Sequence, residues 1–408
     1  MIDLRPIGYV VGLLVAVLGA TMLVPLGLDL WHQNGEWPVF MESAMLTVMI
    51  GGVIAVACSS GLQSGLTLQQ TFLLTTGVWL ILPIFGAIPF VLGATDARLV
   101  DAFFEAMSGM TTTGSTVFSG LDNLPHGLLM WRSMLQWFGG VGIIVVAMVF
   151  LPELKVGGMQ IFRSEAFETS GKVLPRAAQI AARISVIYLL LTVACFVIYM
   201  LVGMGWFDAV NHALTTMSTG GFSTYDASFG TFQGPAEYVA SVFMILASLP
   251  FVRYVQLMGG SSGPLRRDSQ VRAFLWTVLA LVAALTLYRV LANDDHIEHA
   301  FREATFNVTS IMTGTGFASV DYQLWGAFPV VLFFFLGLIG GCAGSTCCSI
   351  KVFRFQLLFA SIKSQLRLIH APHAVFTPRY DGRPVSEDVL SSVMAFFVLF
   401  VVSLGALS

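Results

Sequence analysis

The sequence predicts an all-α membrane protein assembled from a repeated unit of span, half-length helix, glycine-rich strand and span. Three observations carry that prediction. Of the 408 residues, 56% are hydrophobic and only 11% are charged, against about 25% charged in a typical soluble domain. Apolar runs long enough to cross a bilayer, about 20 residues, recur along the chain. Three of the connections between these runs share one pattern of acid, helix, methionine and glycine.

The runs fall near 7–28, 43–64, 71–94, 131–151, 184–204, 238–259, 273–292, 327–349 and 389–408. The N-terminal "MIDLRPIGYVVGLL" runs straight into the first of these with no small-residue cleavage site, so it is expected to be a retained span and not a signal peptide. The connections alternate in charge. One set carries Lys155, Arg163, Lys172, Arg176 and Arg183, then Arg266, Arg267 and Arg272, then Lys351, Arg354, Lys363, Arg367, Arg379 and Arg383. The other carries mainly Asp96, Asp122, Asp208, Asp226, Asp294, Asp295 and Glu298. The positive-inside rule puts the first set, and the N-terminus with Arg5, in the cytoplasm, and leaves the end of the ninth run outside. The net charge of -3 offers nothing to nucleic acid. Cys58, Cys195, Cys342, Cys347 and Cys348 show neither metal-ligand nor disulfide-framework spacing and read as packing residues.

Three outward connections, near 95–130, 205–237 and 293–326, are too long for turns. They align without a gap as "DAFFEAMSGMTTTGST" from Asp101, "DAVNHALTTMSTGGFS" from Asp208 and "EATFNVTSIMTGTGFA" from Glu303. Met110, Met217 and Met312 precede Gly114, Gly221 and Gly316 by four residues in each case. An acid opening a half-helix is expected to cap its free N–H groups, while the negative helix end points to where the chain turns back and attracts a cation. The strand that follows must aim carbonyls at a common axis, which calls for conformations that glycine tolerates and a β-branched residue does not. Irregular backbone at membrane depth survives only where protein buries it or it lines a wet cavity, and rings of carbonyls replace the hydration shell of potassium. Each stretch therefore reads as one wall of an ion filter. Small residues also let membrane helices pack closely, but a shared register in three places favours the wall.

The motifs "TTTGST", "STGGFST" and "TGTGFAS", with "WRSMLQWFGGVGIIV" (131–145), "LPFVRYVQ" (249–256) and "GGCAGSTCCSIKVFRF" (340–355), together resemble the TrkH family of Trk-type potassium-uptake membrane subunits, in the wider Trk/Ktr/HKT superfamily. The similarity runs over essentially the whole chain. It implies helix–pore loop–helix units around a pseudo-fourfold ion pore, preceded by two extra N-terminal spans, in the inner membrane of a bacterium. It also implies a homodimer served by a cytosolic nucleotide-binding regulatory subunit of the TrkA type. The family's filter positions match Thr112, Thr113 and Gly114, then Thr219, Gly220 and Gly221, then Gly314, Thr315 and Gly316. The transported ion is K+, held at the filter only, and no cofactor is expected in this chain. The corresponding organisation is 1–66 for the two N-terminal spans, 67–155, 180–260 and 271–355 for three pore repeats, 356–386 for a cytoplasmic segment, and 387–408 for the first span of an incomplete fourth repeat.

The eighth run is interrupted by "GLIGGCAGSTCCS", where glycine, serine, threonine and cysteine displace the leucine and phenylalanine that open it. The resemblance gives Gly340, Gly341, Cys342, Ala343, Gly344, Ser345 and Thr346 the place of an intramembrane gating loop; close helix packing at small residues is the other reading. Lys351 and Arg354 are expected to snorkel as cytoplasmic-end anchors. Arg253 is expected either to face the pore or to meet headgroups or a neighbouring carbonyl. His370 and His373 lack further ligands and read as loop residues, and "NVT" at Asn307 lies inside a half-helix, where it is no glycosylation site. With no G-x-x-x-x-G-K loop and no nucleophile–base constellation, the chain is not expected to be an enzyme.

A fourfold pore needs four walls and the sequence shows three, so a longer gene product continuing past Ser408 is expected. The leading function is uptake of K+ through a selective, gated pore. One alternative is an ion-coupled secondary transporter, moving K+ with H+ or Na+, with broken helices at a midplane site. Another is a membrane scaffold that uses a pore-like fold to hold a regulator.

Overall fold

A computed structural model describes residues 3–60, 67–146, 159, 173–371, 373 and 376–407. Lys155, Arg163, Lys172 and the side chain of Arg176 lie outside the described residues, as do the ends of the expected spans at 61–64 and 147–151. Among the described residues, seven helical segments are long and apolar enough to cross a membrane: Arg5–His32, Trp37–Ala57, Gln69–Leu92, His126–Val145, Gln179–Leu201, Ser269–Ala292 and Glu387–Leu407. They make this an all-helical, multi-pass membrane protein apart from one small hairpin.

The first segment comprises α1 (Arg5–Thr21) and α2 (Leu23–His32), and α3 (Trp37–Ala57) folds back against α1. Glycine sets how closely these two approach. A Cβ on Gly12 would lie 2.6 Å from the backbone N of Ala55 and 2.8 Å from the carbonyl O of Gly51, and one on Gly51 would lie 2.7 Å from the carbonyl O of Gly12. Gly12→Val is therefore expected to cost about 1–3 kcal/mol by forcing the helices apart. Gly27→Ala in the same hairpin meets nothing within 4 Å and is expected to be neutral or slightly stabilising. Thermal unfolding in detergent checks the pair: equal melting temperatures would remove the close crossing from the account.

The third segment joins α4 (Leu68–Gly86) to α5 (Ile88–Leu92). A capping box starts it: Gln70 N–H donates to Thr67 Oγ1 at 3.3 Å, and Thr67 N–H to Gln70 Oε1 at 2.8 Å. The first unit is completed by a half-helix, α6 (Leu99–Met110), and α7 (His126–Val145). In the second, α8 (Val173–Leu201) leads to the half-helix α9 (Trp206–Met217), then to α10 (Pro235–Ala247) and α11 (Phe251–Met258). The sixth expected span is thus not one helix. Its two parts are bent by 88°, because Pro250 lacks the N–H that would continue the helix.

After the short α12 (Gly263–Arg267), α13 (Ser269–Ala292) opens the third unit, and Asp268 caps it by accepting from Gln270 N–H at 3.0 Å and Val271 N–H at 3.4 Å. Its half-helix α14 (Ile297–Thr313) has 17 residues, a turn and a half longer than the 12 of α6 and α9. The eighth expected span stops as a helix, α15 (Ala327–Leu336), and continues as non-helical chain to Lys351. Beyond it come α16 (Val352–His370), the antiparallel pair β1 (Arg379–Tyr380) and β2 (Arg383–Pro384), and α17 (Glu387–Leu407). His370 ends α16, its Nδ1 2.9 Å from the Leu366 carbonyl, so it is a helix terminus and not a loop residue.

Candidate ion filter and the loop beneath it

The three glycine-rich strands share a backbone as well as a sequence register. Gly114, Gly221 and Gly316 have φ of 83°, 78° and 81°. Two residues earlier, Thr112, Thr219 and Gly314 have φ of 55°, 50° and 74°, whereas the residue between each pair does not enter the left-handed region. The expectation that a β-branched residue avoids these conformations is overturned at Thr112 and Thr219. Left-handed threonine costs about 1–3 kcal/mol and persists only where its surroundings over-determine it. Those surroundings are visible: Thr112 N–H donates to Gly109 O and Thr219 N–H to Thr216 O, both at 3.0 Å, as Gly314 N–H does to Ile311 O. Alternating handedness aligns neighbouring peptide groups, which an extended strand would point in opposite directions.

The strands converge in chain order. A Cβ on Gly114 would overlap the Gly220 carbonyl oxygen and lie 3.7 Å from that of Thr315; one on Gly221 would overlap the Thr315 oxygen. Gly316, by contrast, has nothing within 4 Å of its Cβ position among the described residues. Loops beyond the strands stitch the units together. Asp226 accepts from Gly120 N–H at 2.7 Å and Leu121 N–H at 3.1 Å, and Asp122 accepts from Asp226 N–H at 3.3 Å. Between the second and third units, Phe229 N–H donates to Ala318 O at 3.1 Å and Ala318 N–H to Ser228 Oγ at 3.3 Å.

The acids that open the aligned stretches do not cap their helices. Asp101 is paired with Arg98, which holds its carboxyl below the usual range by hydrogen bonding. Asp208 accepts from Thr224 Oγ1 at 2.7 Å and Tyr225 OH at 3.2 Å, fastening the chain beyond the strand. Glu303 sits inside α14 and is bound by Arg289 at 2.6 Å, since that helix begins earlier, at Ile297. Carboxylates pair with whatever donor desolvation leaves nearest, and an Arg or hydroxyl outcompetes a helix end already in contact with water.

Sequence reasoning missed the buried polar residues behind the walls. Glu105, His212 and Asn307 each lie nine residues before the filter glycine, and all are fully buried. Glu105 accepts from Thr116 Oγ1 at 2.9 Å, Val117 N–H at 3.1 Å and Arg132 Nε at 2.8 Å. His212 Nδ1 faces the Asp208 carbonyl at 2.8 Å, so that nitrogen carries a proton, and Nε2 meets Ser223 Oγ at 3.0 Å. Asn307 Nδ2 donates to Ser319 Oγ at 3.1 Å. Arg132, 1% exposed, also donates to the Ser223 carbonyl at 2.9 Å and lies over the Phe222 ring, joining the first unit to the second. A polar residue recurring nine positions before each filter glycine was the available signal.

Residues Gly340 to Thr346 form a buried non-helical loop tied to the break between α10 and α11. Cys342 N–H donates to Ser248 O at 3.0 Å, Thr346 Oγ1 to Ala247 O at 3.1 Å, and Phe251 N–H to Gly344 O at 3.0 Å. Gln270 accepts from Ala343 N–H at 2.9 Å. The loop reaches the third strand, where Cys348 Sγ lies 3.7 Å from the Gly314 carbonyl. Lys351 and Arg354 are not snorkelling anchors: the Lys351 ammonium donates to the Cys347 carbonyl, and Arg354 is buried with its guanidinium 3.7 Å from the centre of the Phe396 ring. Arg253 pairs with Asp268 at 2.8 Å and donates to Gln256 Oε1 at 3.1 Å. Among the described residues, no cluster of three or more His, Cys, Asp or Glu could hold a metal ion.

The chain is similar throughout to known proteins. The family model TrkH, a cation transport protein, matches residues 36–407. The Trk system potassium uptake protein TrkI of Halomonas elongata is 39% identical over 406 residues, 99% of this chain and 82% of that protein. The Trk system potassium uptake protein TrkH of Salmonella typhimurium is 37% identical over 99% of this chain and 85% of its own length. The crystal structure of the potassium transporter TrkH from Vibrio parahaemolyticus superposes with a TM-score of 0.90 at 33% identity, covering 98% of this chain and 84% of that one. Matched by that family model over residues 36–407 and by relatives 37–39% identical over nearly its whole length, the chain belongs to the TrkH family of cation transport proteins.

Proposed function

We propose that this chain carries potassium inward across a bacterial inner membrane through a selective pore, with Thr112, Thr113 and Gly114, Thr219, Gly220 and Gly221, and Gly314, Thr315 and Gly316 as three of its walls. The observation that carries the reading is the paired left-handed backbone repeated in three converging strands. Carbonyls arranged this way substitute for water around a desolvated cation, and electrostatic attraction needs no covalent chemistry, so the chain acts as a conduit and not as an enzyme. All three half-helices follow a span in the same sense, which favours a pore over the inverted repeats of a secondary transporter. The proposed arrangement keeps the N-terminus cytoplasmic, pairs two copies as a homodimer, and leaves control to a cytosolic nucleotide-binding subunit of the TrkA type. Its domains are 1–66, three pore repeats at 67–155, 180–260 and 271–355, a cytoplasmic segment at 356–386 and a further span at 387–408.

Rubidium influx into liposomes holding the purified chain tests conduction, with growth of a potassium-uptake-deficient bacterium on low potassium as the cellular counterpart. Influx that potassium competes and sodium does not is the expected result; no influx from correctly folded protein sinks the reading. Gly340 to Thr346 are proposed as the gate. Shortening the segment from Gly341 to Ser349 is expected to raise basal influx, because an obstruction leaves while the walls above stay. A folded variant with unaltered influx would make the loop mere packing.

A further inference from the structure

The three walls are not supported alike. Six residues before the filter glycine, Ser108 donates to the Ser115 carbonyl at 2.5 Å and Ser310 to the Phe317 carbonyl at 2.7 Å, so the first and third half-helices hold the residue after their own glycine. The second half-helix has Thr215 there, and its hydroxyl turns back to the Asn211 carbonyl at 3.1 Å. The task passes to Gln136 on α7, a helix of the first unit. Its Nε2 donates to the Gly220 carbonyl at 2.6 Å, and its Oε1 accepts from Phe222 N–H at 3.0 Å. A backbone N–H can only donate, which fixes the orientation of the amide. The two bonds bracket Gly221, and Gln136 is fully buried.

The sequence of the strand carries the mark of this amide. Between the two left-handed residues the first and third walls have Thr113 and Thr315, but the second has Gly220. Gly220 is not in the left-handed region, so conformation does not demand glycine there. Space does: a Cβ on Gly220 would collide with the amide of Gln136, its nitrogen only 2.7 Å away. We propose that Gln136 is a specificity-determining positioning residue, whose amide sets the second wall from the first unit and is the reason that wall carries glycine in place of threonine. The inference rests on the reading of these strands as a potassium filter. The width of a carbonyl cage decides which ion replaces its water most favourably, and a wall held from one side only is free to relax.

Two readouts separate this inference from the uptake reading: rubidium influx in liposomes, and the rise in melting temperature produced by potassium relative to sodium in detergent, since an ion bound only to the folded state stabilises it. Gln136→Met keeps the volume and removes both bonds. Gln136→Glu keeps the acceptor for Phe222 and removes the donor to Gly220. Both are expected to reduce discrimination of potassium over sodium by about tenfold, while Ser133→Ala, on the same helix and bonded only to Leu129, leaves it unchanged. Gly220→Thr is expected to fold poorly alone and to recover its melting temperature when combined with Gln136→Ala, which vacates the space. Potassium-specific stabilisation without influx in the unaltered chain would sink uptake and still let the melting comparison judge Gln136. Discrimination preserved in Gln136→Met, both Gln136 variants failing to fold, or no potassium-specific stabilisation of the unaltered chain would each overturn the proposal.

Discussion

Gly221→Ala is expected to abolish potassium uptake, and Gly114→Ala to do nearly the same. The effect follows from what each new methyl group meets. At Gly221 and Gly114 it overlaps a carbonyl oxygen of the next strand, a backbone atom with no room to withdraw, and the left-handed φ adds about 1–2 kcal/mol of strain. Influx at saturating rubidium is expected to fall at least about 100-fold for both. Gly221→Ala with full influx and selectivity would mean that these strands do not face the ion.

Glu105→Gln is expected to destabilise the protein by about 3–5 kcal/mol, the range for breaking one half of a buried ion pair. The pair is 2.8 Å long with both side chains at most 1% exposed, so the substitution strands the Arg132 guanidinium without its counter-charge. Adding Arg132→Met removes the orphan charge and should return much of that loss, although the bond to the Ser223 carbonyl goes with it. Melting temperatures of the two single variants and the double variant provide the cycle. Strict additivity would show that the two residues do not act together.

These two experiments probe features that differed in how far the sequence exposed them. The filter strands were legible because a glycine required by a left-handed backbone cannot drift, and three copies at one offset mark the same bend. The interruption of the eighth span was legible from Gly340, Gly341 and Gly344, of which Gly344 has a left-handed backbone while the other two leave room for the carbonyls of Cys348 and Ser248. The break of the sixth was not, since "LASLPFVRY" has a proline but nothing to say that the helix would turn by 88° and not merely kink. Acidic residues misled: Asp101, Asp208 and Glu303 share an offset, yet each found a side-chain donor fixed by tertiary packing. Gln136 and Arg132 lie in the very stretch that carried the family resemblance, but their partners in the second unit, Gly220 and Ser223, are roughly 85 to 90 positions away. Local periodicity holds no information about such pairs. The substitution of glycine for threonine at 220 was the one visible trace of them.

The two interrupted spans have a bearing on water. Where α10 breaks, the carbonyls of Ala247 and Ser248 lose their helical donors, and the loop from Gly340 to Thr346 supplies N–H and hydroxyl groups in return. Each irregularity satisfies the other, which is how both persist at membrane depth. Displacing the loop separates these groups at a stroke, along with the bond between Phe251 and Gly344 and that between Ala343 and Gln270. No lipid chain can take them over, so the moved loop and the bared helix end must be hydrated together. Motion of the loop as the proposed gate would therefore be a wetting transition, and solutes that lower water activity without entering the cavity are expected to favour the position in which the loop lies against the break.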